Sequence, residues 1–316
     1  MGSVRRALVT GGCGFIGSHI VDELLRRGIE TYVLDNLSTG KIENVSKHLD
    51  NNMFHFIQGD ISEVSQIFRG REGFEVVFHE AAIASVTLSV LNPNLIFESN
   101  VNSTIKLLNF CKDTGVKRLV FASSSAVYGD LQGQVLSEDI YCKPTSPYGA
   151  SKIAIEHFLH SYWKTYGLET VSLRYFNVYG PRQSKNEYSG VITIFVDRLM
   201  RAEPLTIYGD GNQIRDFVNI KDIVKANMLA MESPMAVGHP INVGTGTETS
   251  ILNLAQLIKK IADREKTPII FSKERMGDIK QSVSTTALSK ELLGYAPSTT
   301  LNEGLEEFVN WQKVIA

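Results

Sequence analysis

Cysteine is scarce in this sequence. The three residues Cys13, Cys111 and Cys142 are odd in number and show no metal-type spacing, which excludes a disulfide scaffold and points to a reducing cytoplasm and no structural metal. Positive charge is not in excess either: a net charge of −2 leaves no basic footprint, so no nucleic acid partner is expected. No apolar run approaches the roughly eighteen residues of a membrane span, so no membrane partner is expected. Met1-Gly2 alone would fit a myristoylation start, but a strand pattern opening at Val4 leaves no free arm for it. Internal repeats and low-complexity segments are also missing. What is present is ordinary globular material, 43% hydrophobic and 21% charged over 316 residues, enough for a large core and two domains.

The first half alternates short apolar strands with helices. Ala7 to Thr10 reads as a buried strand and runs directly into Gly11-Gly12-Cys13-Gly14-Phe15-Ile16-Gly17, followed by an amphipathic helix through Arg27. Gly11, Gly14 and Gly17 allow a tight turn, close backbone approach to a pyrophosphate and close packing of helix on strand, with the helix N-terminus facing the anion. A second strand, Thr31 to Leu34, ends in Asp35, eighteen residues past Gly17. A carboxylate there grips a ribose 2′-hydroxyl and repels a 2′-phosphate, which favours NAD over NADP.

Further strands are expected at Met53 to Ile57, Glu75 to His79 and Lys117 to Ser123, with a helix from Pro93 to Thr114. This order implies a parallel sheet covered on both faces, with ligands beyond the carboxyl ends of the strands. Gly59-Asp60-Ile61, Ala81-Ala82, Asn100 and the run Ser123-Ser124-Ser125 fall at such ends or on facing helices. Read alone, Asp60 is equally a helix cap and Asn100 a buried helix-to-loop hydrogen bond.

The chemistry centres on two motifs. Ser123-Ser124-Ser125 follows an apolar strand, and Tyr148 and Lys152 lie four apart on a helix opening near Pro147 and running to about Tyr166. An ammonium one turn from a phenol favours phenolate, and a neighbouring serine hydroxyl can share the same substrate oxygen. Such a trio moves a proton on or off a carbinol while hydride leaves or arrives at carbon. The same helix carries Ile153, Ile155, Phe158, Leu159, Tyr162 and Trp163, a face too broad for one sheet, so a second packing partner is expected, a helix of this chain or a symmetry mate.

From Gly180-Pro181-Arg182-Gln183 the composition changes, and a second domain begins. Its expected elements are helices near Ile192 to Arg201, Lys221 to Met231, Ile251 to Asp263 (capped by Ser250), Thr286 to Leu293 and Asn302 to Trp311, a strand at Leu205 to Tyr208 and a turn at Gly209-Asp210-Gly211.

Together these residues resemble the extended short-chain dehydrogenase/reductase family, and within it the UDP-hexose 4-epimerases. The matching motifs are Thr10-Gly11-Gly12-x-Gly14-Phe15-Ile16-Gly17, Asp35-Asn36-Leu37, Gly59-Asp60, Ser123 to Gly129, Tyr148-x-x-x-Lys152, Arg174 to Arg182, Gly209-Asp210-Gly211 with Arg215-Asp216-Phe217-Val218, and Gly277-Asp278. They span essentially the whole chain. The resemblance implies a Rossmann-type doubly wound parallel sheet over residues 1–176 and a smaller mixed α/β nucleotide-sugar domain over 177–316, with segments of the two interleaved. It also implies a cytoplasmic homodimer built from the helices near 93–114 and 148–166.

By the same resemblance, Tyr148 is the catalytic base and acid, Lys152 lowers its pKa and holds the nicotinamide ribose, and Ser124 bonds the sugar 4-hydroxyl, with Ser123 and Ser125 close enough to compete for that role. The cofactor is held by Gly11, Gly14, Phe15, Ile16, Gly17, Asp35, Asn36, Ser38, Thr39, Gly40, Asp60, Ile61, Ala81, Ala82, Asn100, Ser123 and Tyr175, together with Tyr148 and Lys152. The UDP-sugar is held by Ser125, Asn177, Val191, Tyr208, Arg215 and Arg275, with Leu205 and Ile207 flanking uracil and Asp278 on the uridine ribose. Guanidiniums and an amide suit diphosphate oxygens.

Relatives that dehydrate or decarboxylate carry an acid just before Val127-Tyr128-Gly129, where this chain has Ser125 and Ala126, so chemistry beyond hydride and proton shuttling is not expected. Ser282, near carbon 2 of the hexose, is small where a tyrosine restricts relatives to plain hexoses, and predicts acceptance of UDP-GlcNAc and UDP-GalNAc, with UDP-glucose and UDP-galactose alongside. Two departures from the UDP-galactose type are Ala84, where some relatives have lysine, and the lack of asparagine around Ser189-Gly190-Val191. The rival readings are a UDP-uronate 4-epimerase, a 4-keto-sugar reductase and a non-catalytic NAD sensor.

Overall fold

The computed structural model describes residues 4–71, 73–131, 133–184, 190–274 and 279–315. Its centre is a seven-stranded parallel sheet. The strands are β1 (Arg6–Thr10), β2 (Glu30–Asp35), β3 (Phe54–Gln58), β4 (Val76–His79), β5 (Arg118–Ser124), β6 (Glu169–Tyr175) and β7 (Pro240–Val243), in the spatial order β7-β6-β5-β4-β1-β2-β3. Every neighbouring pair in that order is parallel. The chain builds outward from β1 to β3, then crosses back to place β4 on the other side of β1. The carboxyl ends of β1 and β4 therefore diverge, which opens the crevice where such sheets bind ligands.

Two apolar layers cover the sheet. On one face α1 (Phe15–Arg26) packs Ile20, Val21 and Leu24 with Val9, Val33, Val120 and residues of a helix from the second half of the chain, Ile220–Glu232. On the other, Leu107, Leu108 and Cys111 of α2 (Ser103–Thr114) join Ile155 and Leu159 of α3 (Pro147–Tyr166) over Leu8, Val77 and Leu119. The alternation of residues along β1, with Leu8 in one layer and Val9 in the other, is the period-two pattern of a strand buried on both faces. A third cluster forms the core of the smaller part, where Phe195 and Leu199 of α4 (Val191–Met200), Leu254 and Ile258 of a helix at Ile251–Ile261, and Phe308 and Val309 of the last helix, Leu301–Ile315, meet.

Several elements, the strand Ile269–Ser272 among them, are absent from the pattern-based reading. A six-residue helix, Val86–Leu91, interrupts what looks like loop. The stretch 93–114 is helical throughout, but Phe97–Asn102 is a π-helical segment between Pro93–Ile96 and α2. Finally β7, drawn from residues 240–243, pairs with β6 and completes the sheet from the far half of the chain. Four residues that open on a proline carry too little periodicity to show it in the sequence. All three cysteines are free thiols, as their spacing implied. Among the described residues no helix is long and apolar enough to cross a membrane.

Candidate active site

The glycine loop follows β1 as a tight turn. Gly11 has φ +70°, and a Cβ there would lie 2.7 Å from the backbone nitrogen of Ala81, so the turn can approach β4 only as glycine. A Cβ on Gly17 would sit 2.2 Å from the Gly11 carbonyl oxygen, which is why α1 can start so close to the strand. That helix opens on Gly14 with no capping side chain and no acid in its first turn, leaving its N–H groups and positive end for an anion. Phe15 and Ile16 pack into the layer beneath.

Asp35 ends β2 with its carboxylate fixed: Cys13 N–H donates to Oδ2 at 2.9 Å and Leu37 N–H to Oδ1 at 2.8 Å. Gly40 closes the loop beside it, with space too small for a side chain. Asn36 donates to Asp60 Oδ2 at 2.8 Å and accepts from Ser38 N–H at 3.0 Å, so the loop that continues through Thr39 is stitched to the end of β3. Asp60 also caps the turn at Ile61 by accepting from Ser62 N–H at 2.8 Å, the structural alternative open in the sequence. Asn100 likewise makes a helix-to-loop link. It accepts from Ile83 N–H at 2.9 Å and donates to Ile83 O at 3.2 Å and to Ser151 Oγ at 3.3 Å. It lies in the π segment, and it fixes the chain just after Ala81 and Ala82.

The serine strand and the tyrosine helix converge on the same end of the sheet. Ser146 caps α3 by accepting from Gly149 N–H at 3.1 Å, with Pro147 in the first turn. Ser124 accepts from Ala126 N–H at 3.2 Å, and its hydroxyl is the one that acts on the Tyr148 phenol. Ser123 faces the other way and donates to Glu156 Oε1 at 2.5 Å, while Ser125 begins the turn that follows. Of the three serines, Ser124 is the one that acts on the phenol. Lys152 is 3% exposed, and its Nζ donates to Ala122 O at 2.7 Å, 5.8 Å from the centre of the Tyr148 ring.

The electrostatics differ from the simple expectation that lysine draws the phenol down. Burial pushes the Tyr148 phenol above its usual range, the Ser124 hydrogen bond opposes this and the Glu80 charge adds to it. Burial also lowers Lys152 to about 8, with Glu80 and Glu156 pulling back up. Burial outweighs the pairing because neither group is solvated here. Tyr175, expected to touch the cofactor, spends its hydroxyl on Glu80 Oε1 at 3.0 Å. Glu80 itself went unnoticed in the sequence, where it is one acid in an otherwise apolar strand end.

On the substrate side, a three-residue strand Asn177–Tyr179 runs beside Phe217–Asn219, and the Asn177 amide donates to Asp216 O at 3.0 Å. Ser282 pairs in register with Arg215 and is 6% exposed. Asp216 between them is fully buried and accepts from Thr245 N–H, Thr245 Oγ, Gly246 N–H, Ser284 N–H and Ser284 Oγ at 2.6 to 3.2 Å. The Asp216 backbone thus links Asn177 to the strand of Ser282, accepting from Asn177 at its carbonyl and donating its N–H to Ser282 O at 2.9 Å, while its carboxylate anchors the neighbouring 245–246 and 284 segments. Val191 begins α4. The strand Leu205–Tyr208 turns Leu205 and Ile207 into the third core cluster, with Tyr208 outward. Arg275, Gly277, Asp278 and Ser189 lie outside the described residues.

Residues 7–244 match the family described as NAD dependent epimerase/dehydratase. The chain belongs to that family. NAD is accordingly the cofactor of this epimerase/dehydratase member, and the uncapped helix start, the close glycine turn and the fixed Asp35 fit it. A UDP-glucose 4-epimerase from Mycolicibacterium smegmatis is 37% identical over 308 residues, 97% of this chain and 98% of the relative. The crystal structure of a UDP-glucose 4-epimerase from Thermotoga maritima with UDP-glucose superposes with a TM-score of 0.92 at 38% identity, covering 98% of this chain and all of the other. A UDP-N-acetylglucosamine 4-epimerase from Methanobrevibacter ruminantium, in complex with UDP-N-acetylmuramic acid, gives a TM-score of 0.92 at 37% identity over 99% of this chain and all of the other.

Proposed function

We propose that this protein is a UDP-hexose 4-epimerase that accepts 2-acetamido sugars, interconverting UDP-GlcNAc and UDP-GalNAc with UDP-glucose and UDP-galactose alongside. The observation that carries the reading is the placement of Ser124 beside the Tyr148 phenol at the carboxyl edge of the sheet, with the buried Lys152 one helical turn away. When bound, NAD supplies a hydride acceptor that returns what it takes, and its pyridinium charge favours phenolate beside it. Tyr148 then removes the proton of the sugar 4-hydroxyl, Ser124 holds that oxygen, and Lys152 keeps a cation beneath the phenol. The resulting 4-keto sugar turns over while the UDP stays anchored by Asn177, Arg215 and Arg275, and Tyr148 gives the proton back to the opposite epimer. Binding energy belongs on the nucleotide, because both epimers must fit around one loose hexose site.

Ser282 supports the acetamido preference. It is small and sits beside Arg215, and a neighbour of similar fold is described as a UDP-N-acetylglucosamine 4-epimerase holding a 2-acetamido sugar nucleotide. The deciding assay incubates the protein and NAD with each UDP-sugar in turn. Interconversion of the acetamido pair without net NADH is expected, and Tyr148→Phe should cut the rate by about 10²–10⁴-fold. Full-speed inversion in that variant would sink the mechanism, and turnover of UDP-glucuronate alone would favour the uronate reading.

The same proposal includes a homodimer. Val86, Val90, Leu91, Phe97, Phe158 and Tyr166 are all 40% to 72% exposed on Val86–Leu91, the π segment and α3, helices that pack on one another. A second copy laid against this face would cover the surplus apolar side of α3. Light scattering at micromolar concentration should give twice the monomer mass, and a monomer would refute it.

A further inference from the structure

We propose that Glu80 is a positioning residue of the catalytic centre, a fixed carboxylate clamped by Tyr175 that holds Lys152 as an ammonium and opposes the phenolate form of Tyr148. This rests on the reading of the centre as an epimerase site.

The geometry begins at the reversal of the sheet. Glu80 directly follows β4, and its N–H donates to Thr10 O at 3.1 Å, so its backbone is pinned where β1 and β4 part. Tyr175, at the end of β6, donates its hydroxyl to Glu80 Oε1 at 3.0 Å. That hydroxyl in turn accepts from Asn227 Nδ2 at 2.7 Å, and Asn227 also donates to Ile223 O at 2.9 Å within its own helix. The Tyr175 proton is therefore committed to the carboxylate, and the carboxylate is held against the sheet. So held, it acts on the reacting groups through space.

Those groups face it from each neighbouring element. From α3 come Lys152, whose Nζ sits on the carbonyl of Ala122, the residue after the Phe121 that pairs with His79, and Tyr148, beside Ser124, which pairs with the Tyr175 that Glu80 holds; the Glu80 charge acts on both. From β6 comes Tyr175, whose phenol is kept protonated by burial and by that same charge. On its own strand His79 is neutral, both ring nitrogens being taken by Thr10 Oγ1 and Thr104 Oγ1 at 2.8 Å, and burial lowers it to about 3. Behind Lys152 lies Glu156, already paired with Arg174 at 2.7 Å. Among the described residues Lys152 has no carboxylate within ion-pair distance, and its hydrogen bond is to a carbonyl. A buried ammonium in that position depends on charges nearby to stay protonated.

Glu80 itself is raised by burial to about 7, with Tyr175 and Lys152 opposing the rise. It therefore gains charge through neutrality, in the interval just below that in which Lys152 begins to lose its proton. Each charge supports the other, and the phenol pays for the arrangement by needing a higher pH to ionise.

The test is an ultraviolet difference titration of tyrosinate, each protein measured against its Tyr148→Phe counterpart so that only Tyr148 is read. In Glu80→Gln the Tyr148 phenolate should appear about one pH unit lower than in wild type. The pH profile of kcat should move the same way at both limbs, because the lysine loses support and the phenol loses an opponent. Tyr175→Phe should shift both by a smaller amount in the same direction, since a carboxylate without its donor protonates more readily. A Glu80→Gln enzyme whose rate falls while the phenolate titration and both limbs stay in place would overturn the proposal and leave Glu80 as packing. The titration needs no turnover, so a protein that epimerises nothing would refute the epimerase reading and still decide the role of Glu80.

Discussion

Gly149 lies against the carbonyl of Ala126 so closely that a Cβ on it would come within 2.4 Å of that oxygen and 2.9 Å of Pro144 Cβ. This contact seats the first turn of α3 on the serine turn, and it is what brings Tyr148 to Ser124. Gly149→Ala must lift the helix start by a fraction of an ångström or more. We expect kcat to fall by roughly 10²-fold with little change in affinity for UDP, because misplacement of this order costs that much. Steady-state kinetics with inhibition by UDP would check it; unchanged kcat would mean that the contact is not needed for alignment.

Ser282→Tyr places a ring beside Arg215 in space now enclosed around a small side chain. Turnover of UDP-GlcNAc and UDP-GalNAc should drop by about tenfold or more in kcat/KM, while UDP-glucose and UDP-galactose are largely spared. Competition assays on both pairs give the ratio, and equal loss of both would count against Ser282 as the discriminating position.

Asp216 accepts from five donors, so Asp216→Asn turns an amide toward groups that can only donate or prefer to. The expected loss is on the order of 2 kcal/mol or more in stability, with a raised KM for UDP-sugars as Arg215 and Ser282 drift. Thermal melts and kinetics together test this, and a variant with wild-type KM would show that the carboxylate does not align the substrate strand.

Glu80 also predicts a pH effect on stability. Its folded pKa is raised from 4.5 to about 7, so the folded state holds a proton that the unfolded chain releases earlier. The contribution is fully present below about pH 4.5 and is lost as pH rises through about 7. The melting temperature of wild type should decline over that interval relative to Glu80→Gln, in which the slope disappears. Parallel curves for the two proteins would exclude the buried carboxylate as their source.

Local pattern alone determined a good deal of this protein. The order of strands and helices, the glycine turn into α1, Asp35 at the end of β2, the Ser250 cap and the i, i+4 pair Tyr148 and Lys152 are all properties of short segments, set by spacing and residue type. The family followed because those segments occur in one order. Tertiary structure alone decided which serine meets the phenol, since Ser123, Ser124 and Ser125 are equivalent until α3 is packed and Glu156 claims Ser123. It also decided that β7 closes the sheet, that the Asp216 backbone links Asn177 and Ser282, and that Glu80 takes the hydroxyl of Tyr175. Each of these joins residues far apart in the chain, and each depends on burial, which changes the charge a group will carry and has no signature in the sequence around it.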